Sequence, residues 1–174
     1  AELSVNGSGS VGPVKLSLLA GYTRLNPVQP GYDPTTDTLG LQGVATLKYR
    51  SREIGKGDIQ ADYKRFSAGY SLRYQSKIEN IDRRFVQSLL HEYSNPFVNF
   101  DNMPSTFVLP GLKENFDAFS KAVLVQDLRV SCWLTNTVRL SFIVNNLANV
   151  EYQSRPGDMR PPTQYLGQLL IPLQ

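Results

Sequence analysis

The stretch VLVQDLRVSCWLTNTVRLSFIVNNLANVEYQSRPGDMR, residues 123–160, decides the fold. From Asp127 to Cys132 the apolar side chains Leu128, Val130 and Cys132 share one parity, and Asp127, Arg129 and Ser131 share the other. From Val138 to Asn145 the same rule sets Val138, Leu140, Phe142 and Val144 against Arg139, Ser141 and Asn145, with Ile143 as the exception. Period-two alternation puts each set on its own side of a sheet. The polar triplet Thr135-Asn136-Thr137 between the two segments suits a tight hairpin turn. An irregular loop ending in Gly and Pro follows, and residues 164–173 read as a final strand.

Upstream, the same reading gives more strands. Residues 2–10 alternate weakly. In 14–25, Val14, Leu16, Leu18, Ala20 and Tyr22 form one face, with Leu19 as an exception. A third strand spans 56–63. In 66–77, Phe66, Ala68, Tyr70, Leu72 and Tyr74 alternate strictly with Ser67, Gly69, Ser71, Arg73 and Gln75. About seven strands result. Their connections run short, long, short, long, short, long. The segment VQSLLHEY, 86–93, inside the longest one, is expected to form a short amphipathic helix.

Composition narrows the class. The 174 residues are 41% hydrophobic and 19% charged, which excludes disorder. No apolar run approaches the roughly 18 residues of a membrane-spanning helix, but barrel strands show only alternation. The net charge is +3 and the basic residues are scattered, which argues against nucleic acid. The chain opens with polar residues and no signal peptide, as expected of a mature form or a fragment. A soluble β-sandwich would show the same alternation. Two features favour a transmembrane barrel: polar faces carrying small and charged residues on strand after strand, and long loops all at one end. Tyr22, Tyr63, Phe66, Tyr74 and Trp133 also fall near strand ends, where interfacial aromatic girdles sit.

Several short phrases resemble one family. VNNLANVEYQSRPGDMRPP is similar to the end of TonB-dependent outer-membrane receptors, where such a phrase precedes the last barrel strand. LPGLKE (109–114), LLAGYTRLNP (18–27) and LKYRSRE (47–53) also resemble that family, above all its Bacteroidota-type members. The resemblance implies a barrel of about 22 strands with a plugged lumen, and import of a scarce nutrient such as a siderophore, cofactor, oligosaccharide or peptide. The implied partners are the remaining barrel strands, an N-terminal plug, TonB acting through it, and outer-membrane lipid; a surface lipoprotein is a further partner the resemblance allows. The C-terminus would lie in the periplasm. The odd strand count fits the C-terminal portion of a larger barrel, since single-chain barrels have even counts. Residues 170–174, LIPLQ, lack the terminal aromatic usual in the family and place Pro172 in the last strand.

The candidate site residues follow from parity. Arg73, Gln75, Asp127, Arg129, Arg139 and Asn145 lie opposite the apolar set and are expected to line a lumen. Phe66, Ala68, Tyr70, Leu72, Tyr74, Val138, Leu140, Phe142 and Val144 should face lipid. Tyr93, Phe97 and Phe100 of the longest loop are candidates to grip substrate, although packing of the loop on itself is the simpler reading. His91 has no second histidine to share a metal. Cys132 reads as a small apolar residue. No nucleophile elbow or triad signature occurs, and no catalysis or cofactor is expected.

Overall fold

The computed structural model describes residues 1–36, 45–82, 87–90, 97–155 and 157–171. The strands are β1 (Glu2–Val11), β2 (Val14–Arg24), β3 (Glu53–Tyr63), β4 (Phe66–Gln75), β5 (Val123–Trp133), β6 (Arg139–Asn145), β7 (Gln153–Arg155), β8 (Asp158–Met159) and β9 (Gln164–Leu170). Among the described residues one α-helix, α1, spans Leu112–Phe119. Seven strands form a single antiparallel sheet in the order β1-β2-β3-β4-β5-β6-β9, while β7 and β8 form a separate ribbon. Strands β1 and β9 are the edges of the sheet.

Register carries each sequence parity across the whole sheet. One row runs Gly7, Leu18, Ile59, Tyr70, Leu128, Val144, Tyr165, and the next Gly9, Leu16, Ala61, Ala68, Val130, Phe142, Gly167. The opposite face reads Ser10, Lys15, Asp62, Ser67, Ser131, Ser141, Gln168 in one row and Asn6, Leu19, Asp58, Ser71, Asp127 in another. The exceptions Leu19 and Ile143 therefore sit on the polar face. Gln126 is the polar intruder on the apolar face, and the Tyr70 hydroxyl donates to its side-chain carbonyl.

Tight turns join β1–β2 and β3–β4 with two residues each. Gly12 and Lys64 take positive φ there, 57° and 53°, as primed hairpin turns demand at their first position. Between β5 and β6, Leu134 N–H donates to the Val138 carbonyl, and Thr135 Oγ1 accepts from Val138 N–H. The three long connections, 25–52, 76–122 and 146–163, all leave from the other end of the sheet.

The long connections are stitched to one another. Ser51 bridges Ile78, and the buried Asn80 amide donates to the Thr46 carbonyl. Ser76 Oγ accepts from the backbone N–H groups of Arg52 and Glu53. The Ser120 hydroxyl donates to the Ile78 carbonyl at 3.0 Å, closing the neck of the 76–122 connection.

Several expectations need correction. The helix is at Leu112–Phe119 rather than 86–93; of the latter segment residues 87–90 form a bend and turn, and 86 and 91–93 lie outside the described residues. Helix α1 starts after Gly111, whose φ of 84° breaks the preceding chain direction. β3 begins at Glu53, three residues before the alternation becomes clear. Residues 153–155 and 158–159 are not irregular but form the β7–β8 ribbon. Val138 belongs to the turn before β6. Trp133 shares the parity of Arg139, not that of Tyr63 and Phe66, so it is not part of an outward girdle. β9 ends at Leu170, and 172–174 lie outside the described residues. No second sheet large enough for a sandwich occurs among the described residues.

Candidate functional site: the polar face

The six candidate residues all fall on the polar face, where the sheet registers bring most of them together. Arg73 on β4 reaches Asp127 on β5 with an Nη2–Oδ2 distance of 2.9 Å. The other oxygen of Asp127 accepts the Asn146 backbone N–H at 2.8 Å, so this carboxylate ties β4 to the start of the last long loop. Gln75 donates to Ser51 Oγ at 2.9 Å. Asn145, Gln75, Arg73 and Asp127 share an open cleft of about 560 Å³ with Arg160 of the following loop.

Arg129 pairs across an intervening strand. Its Nη2 lies 2.8 Å and 3.1 Å from the two oxygens of Asp58 on β3, with β4 between. Gly69 makes this reach possible, because a Cβ there would sit 2.9 Å from Arg129 Nη2 and 3.0 Å from Nε. Ser71 adds a hydroxyl donor to Asp58 at 2.5 Å. Arg139 lines the same cleft as Arg129; its guanidinium lies 5.5 Å from the Trp133 ring centroid, and its buried Nε has no acceptor among the described residues.

Gly69→Val should lift the guanidinium off the sheet and uncouple Arg129 from Asp58. In a double-mutant cycle with Arg129→Gln and Asp58→Asn, the native pair should show about 0.5–1 kcal/mol of coupling, as half-exposed ion pairs do. In the Gly69→Val background the coupling should fall to about zero. Retained coupling would mean that the glycine does not position the arginine.

Two of the three loop aromatics, Phe97 and Phe100, fall among the described residues. Phe97 is 92% exposed, Phe100 opens a short 3₁₀ turn whose carbonyl accepts from Thr106, and Tyr93, like His91, lies outside the described residues. Cys132 sits half-exposed on the apolar face. Among the described residues no group of His, Cys, Asp and Glu could hold a metal ion.

Sequence reasoning missed two features. The first is Asn146, only 3% exposed, with a φ of 53°. Its amide donates to the carbonyls of Val150 (3.0 Å) and Pro161 (3.2 Å), its side-chain oxygen accepts from Val150 N–H (2.9 Å), and its own carbonyl accepts from the Thr163 hydroxyl (2.7 Å). This one residue holds both ends of the last long loop. The sequence signal was the Asn-Asn pair closing an alternating run, since Asn tolerates the left-handed conformation. The second is the apolar patch Val123 and Val125, on the polar parity yet buried. With the α1 rings Phe116 and Phe119 they line one cavity.

An open antiparallel sheet with one apolar and one polar face, tight turns at one end and long loops at the other, is the architecture of a transmembrane barrel wall. No family model matches the chain, and no curated protein matches it. Among solved structures it is similar to the ferric-catecholate import receptor Fiu of E. coli K12 in its closed form, with a TM-score of 0.60 and 15% identity. The match covers 98% of this chain and 20% of that receptor, so the chain spans about a fifth of its length. The likeness is one of fold: an antiparallel segment of a β-barrel wall like that receptor's. The narrower expectation of a Bacteroidota-type member finds no support in this match.

Proposed function

We propose that the chain is the C-terminal part of the barrel wall of a TonB-dependent outer-membrane receptor that imports a scarce nutrient, with no catalytic role of its own. The observation that carries this reading is the apolar face. Leu3, Val5, Ile59, Phe66, Val130 and Phe142 stand more than 40% exposed on it. Soluble monomers rarely expose apolar patches beyond a few hundred Å². Nothing on the described chain is large enough to cover seven strands, and lipid is the solvent such a face needs.

The height of the face agrees. Tyr22 and Tyr74 occupy the loop-end row, one on each side of Gly55, and Tyr63 pairs with Phe66 in the turn-end row. The rows are eight residues apart along β2, from Tyr22 to Val14. At about 3.4 Å per residue that is roughly 27 Å, or about 21 Å of height at a tilt near 40°, close to the apolar band of about 25 Å. Of the residues expected to face lipid, only Val144 is buried, in the row between Leu128 and Tyr165.

The polar face then lines the lumen, and Arg73, Gln75, Asp127, Arg129, Arg139 and Asn145 meet water and the plug. The edges β1 and β9 pair with the remaining strands of a barrel of about 22, because an open edge in lipid leaves backbone groups unsatisfied. The long connections face the cell exterior; the tight turns and the C-terminus face the periplasm. Protease added to intact cells should cut only within 25–52, 76–122 and 146–163. Cleavage at 12–13, 64–65 or 134–138 with the membrane intact would refute this orientation.

The decisive experiment uses the intact receptor. It should be heat-modifiable on a gel and require detergent, and its substrate uptake should stop in cells lacking TonB. A receptor soluble in plain buffer would end the barrel reading, and undiminished uptake without TonB would end the transport mechanism.

A further inference from the structure

We propose that the cavity beneath α1 is a binding subsite for an organic anion, with an apolar or aromatic body and a carboxylate or phosphate head. This rests on the reading of the polar face as a lumen. The cavity, about 180 Å³, lies between α1, the loop ends of β3, β4 and β5, and the start of β7. Its lining holds four cationic side chains, Lys56, Arg73, Lys121 and Arg155, and no carboxylate. Only Arg73 is neutralised there, by Asp127. Lys56 and Arg155 have no acidic partner among the described residues, and Lys121 rests 6.0 Å from the Phe119 ring centroid.

Four cations converging on one recess raise its positive potential, and charge-assisted hydrogen bonds to carboxylate or phosphate are the strong ones. The walls supply the other half of the recognition. Phe116, Phe119, Val123 and Val125 give an apolar floor and roof, and Tyr152 adds a phenol at the side. Small-molecule sites combine an apolar lining with a few convergent polar groups in this way. The volume is below the roughly 300 Å³ of a complete ligand pocket, so the cavity takes one end of a larger ligand or one small anion. Arg73, Gln75 and Tyr152 also line the 560 Å³ cleft, so the subsite opens toward the barrel interior.

The test titrates the intact, detergent-solubilised receptor with phenyl phosphate, followed by calorimetry, with phenol and inorganic phosphate as separate arms. Phenyl phosphate should bind about tenfold or more tightly than either, because each arm lacks half of the site. Lys121→Gln and Arg155→Gln should each weaken it by about tenfold, and the triple variant with Lys56→Gln should abolish it, while all remain heat-modifiable. Arg73 is left intact because it holds Asp127. Equal binding of phenyl phosphate and phenol, or unchanged affinity in the triple variant, would overturn the proposal. Binding that emerges only after deletion of the plug would also overturn it, since the cavity would then hold plug chain. A receptor that is not heat-modifiable fails the barrel reading instead.

Discussion

Replacing Asn146 by alanine should destabilise the receptor wall by about 2–4 kcal/mol. The amide serves three hydrogen bonds in a site only 3% exposed, and its loss removes a partner from the Val150 N–H, the Val150 C=O and the Pro161 C=O. Leaving a buried polar group unsatisfied costs about 1–3 kcal/mol. Alanine also pays about 1–2 kcal/mol for the left-handed backbone, which Asn146 holds at φ 53°. Asn146→Gly separates the two contributions: it loses the same bonds but relieves the backbone, so it should sit about 1 kcal/mol above alanine. Asn149 also has positive φ but is exposed, and its side chain accepts only from Thr163. Asn149→Ala should therefore cost less than half as much. The measurement is equilibrium unfolding of the intact receptor in phospholipid. An Asn146→Ala variant within about 0.5 kcal/mol of the parent would remove Asn146 from its central place in the loop.

The second large effect contrasts two adjacent residues. Ile59 lies in the middle of five outward rows of β3, and Gln60 faces the other way beside Asp62. Ile59→Arg should cost about 2–4 kcal/mol, the penalty of a guanidinium near the bilayer midplane. Gln60→Arg should cost less than about 1 kcal/mol, because water and the Asp62 carboxylate receive the charge. Under the proposed orientation a one-residue step separates a lipid-facing from a lumen-facing site, because the period of two puts neighbours on opposite faces. Equal costs at the two positions, read from the same unfolding experiment, would show that the faces have been assigned the wrong environments.

Much of this wall was legible in the sequence because a barrel strand repeats one instruction. The strict alternation of 66–75 places every outward and inward side chain of β4, and the short–long rhythm of the connections places the loops. What was hidden depends on register. The Arg129–Asp58 pair joins residues two strands apart, and only the alignment of Gln60, Gly69 and Arg129 in one row reveals why a glycine stands between them. Val123 and Val125 misled in a different way. They are apolar on the polar parity because they share a cavity wall with α1, a tertiary fact that no local period contains. The helix itself was misplaced because VQSLLHEY and LKENFDAF each hold four apolar residues in eight, and what marks out the second is that its two phenylalanines reach the cavity, a tertiary contact. Asn146 was visible in principle, but its role needed the partners Val150, Pro161 and Thr163 to be brought near in space.

The hydrogen bond from Ser120 to Ile78 has a consequence for how this segment can vary. It pinches residues 79–119 into an excursion whose ends are already fixed beside the sheet. Closing a longer excursion at a fixed neck costs only about 0.6 kcal/mol per doubling of its length. Insertions or deletions there would leave the pairing of β4 with β5, and so the register of the whole wall, where it is. The excursion can thus change length away from Asn80 and α1, which make contacts of their own, while the Ser120–Ile78 neck and the strands it joins keep their place.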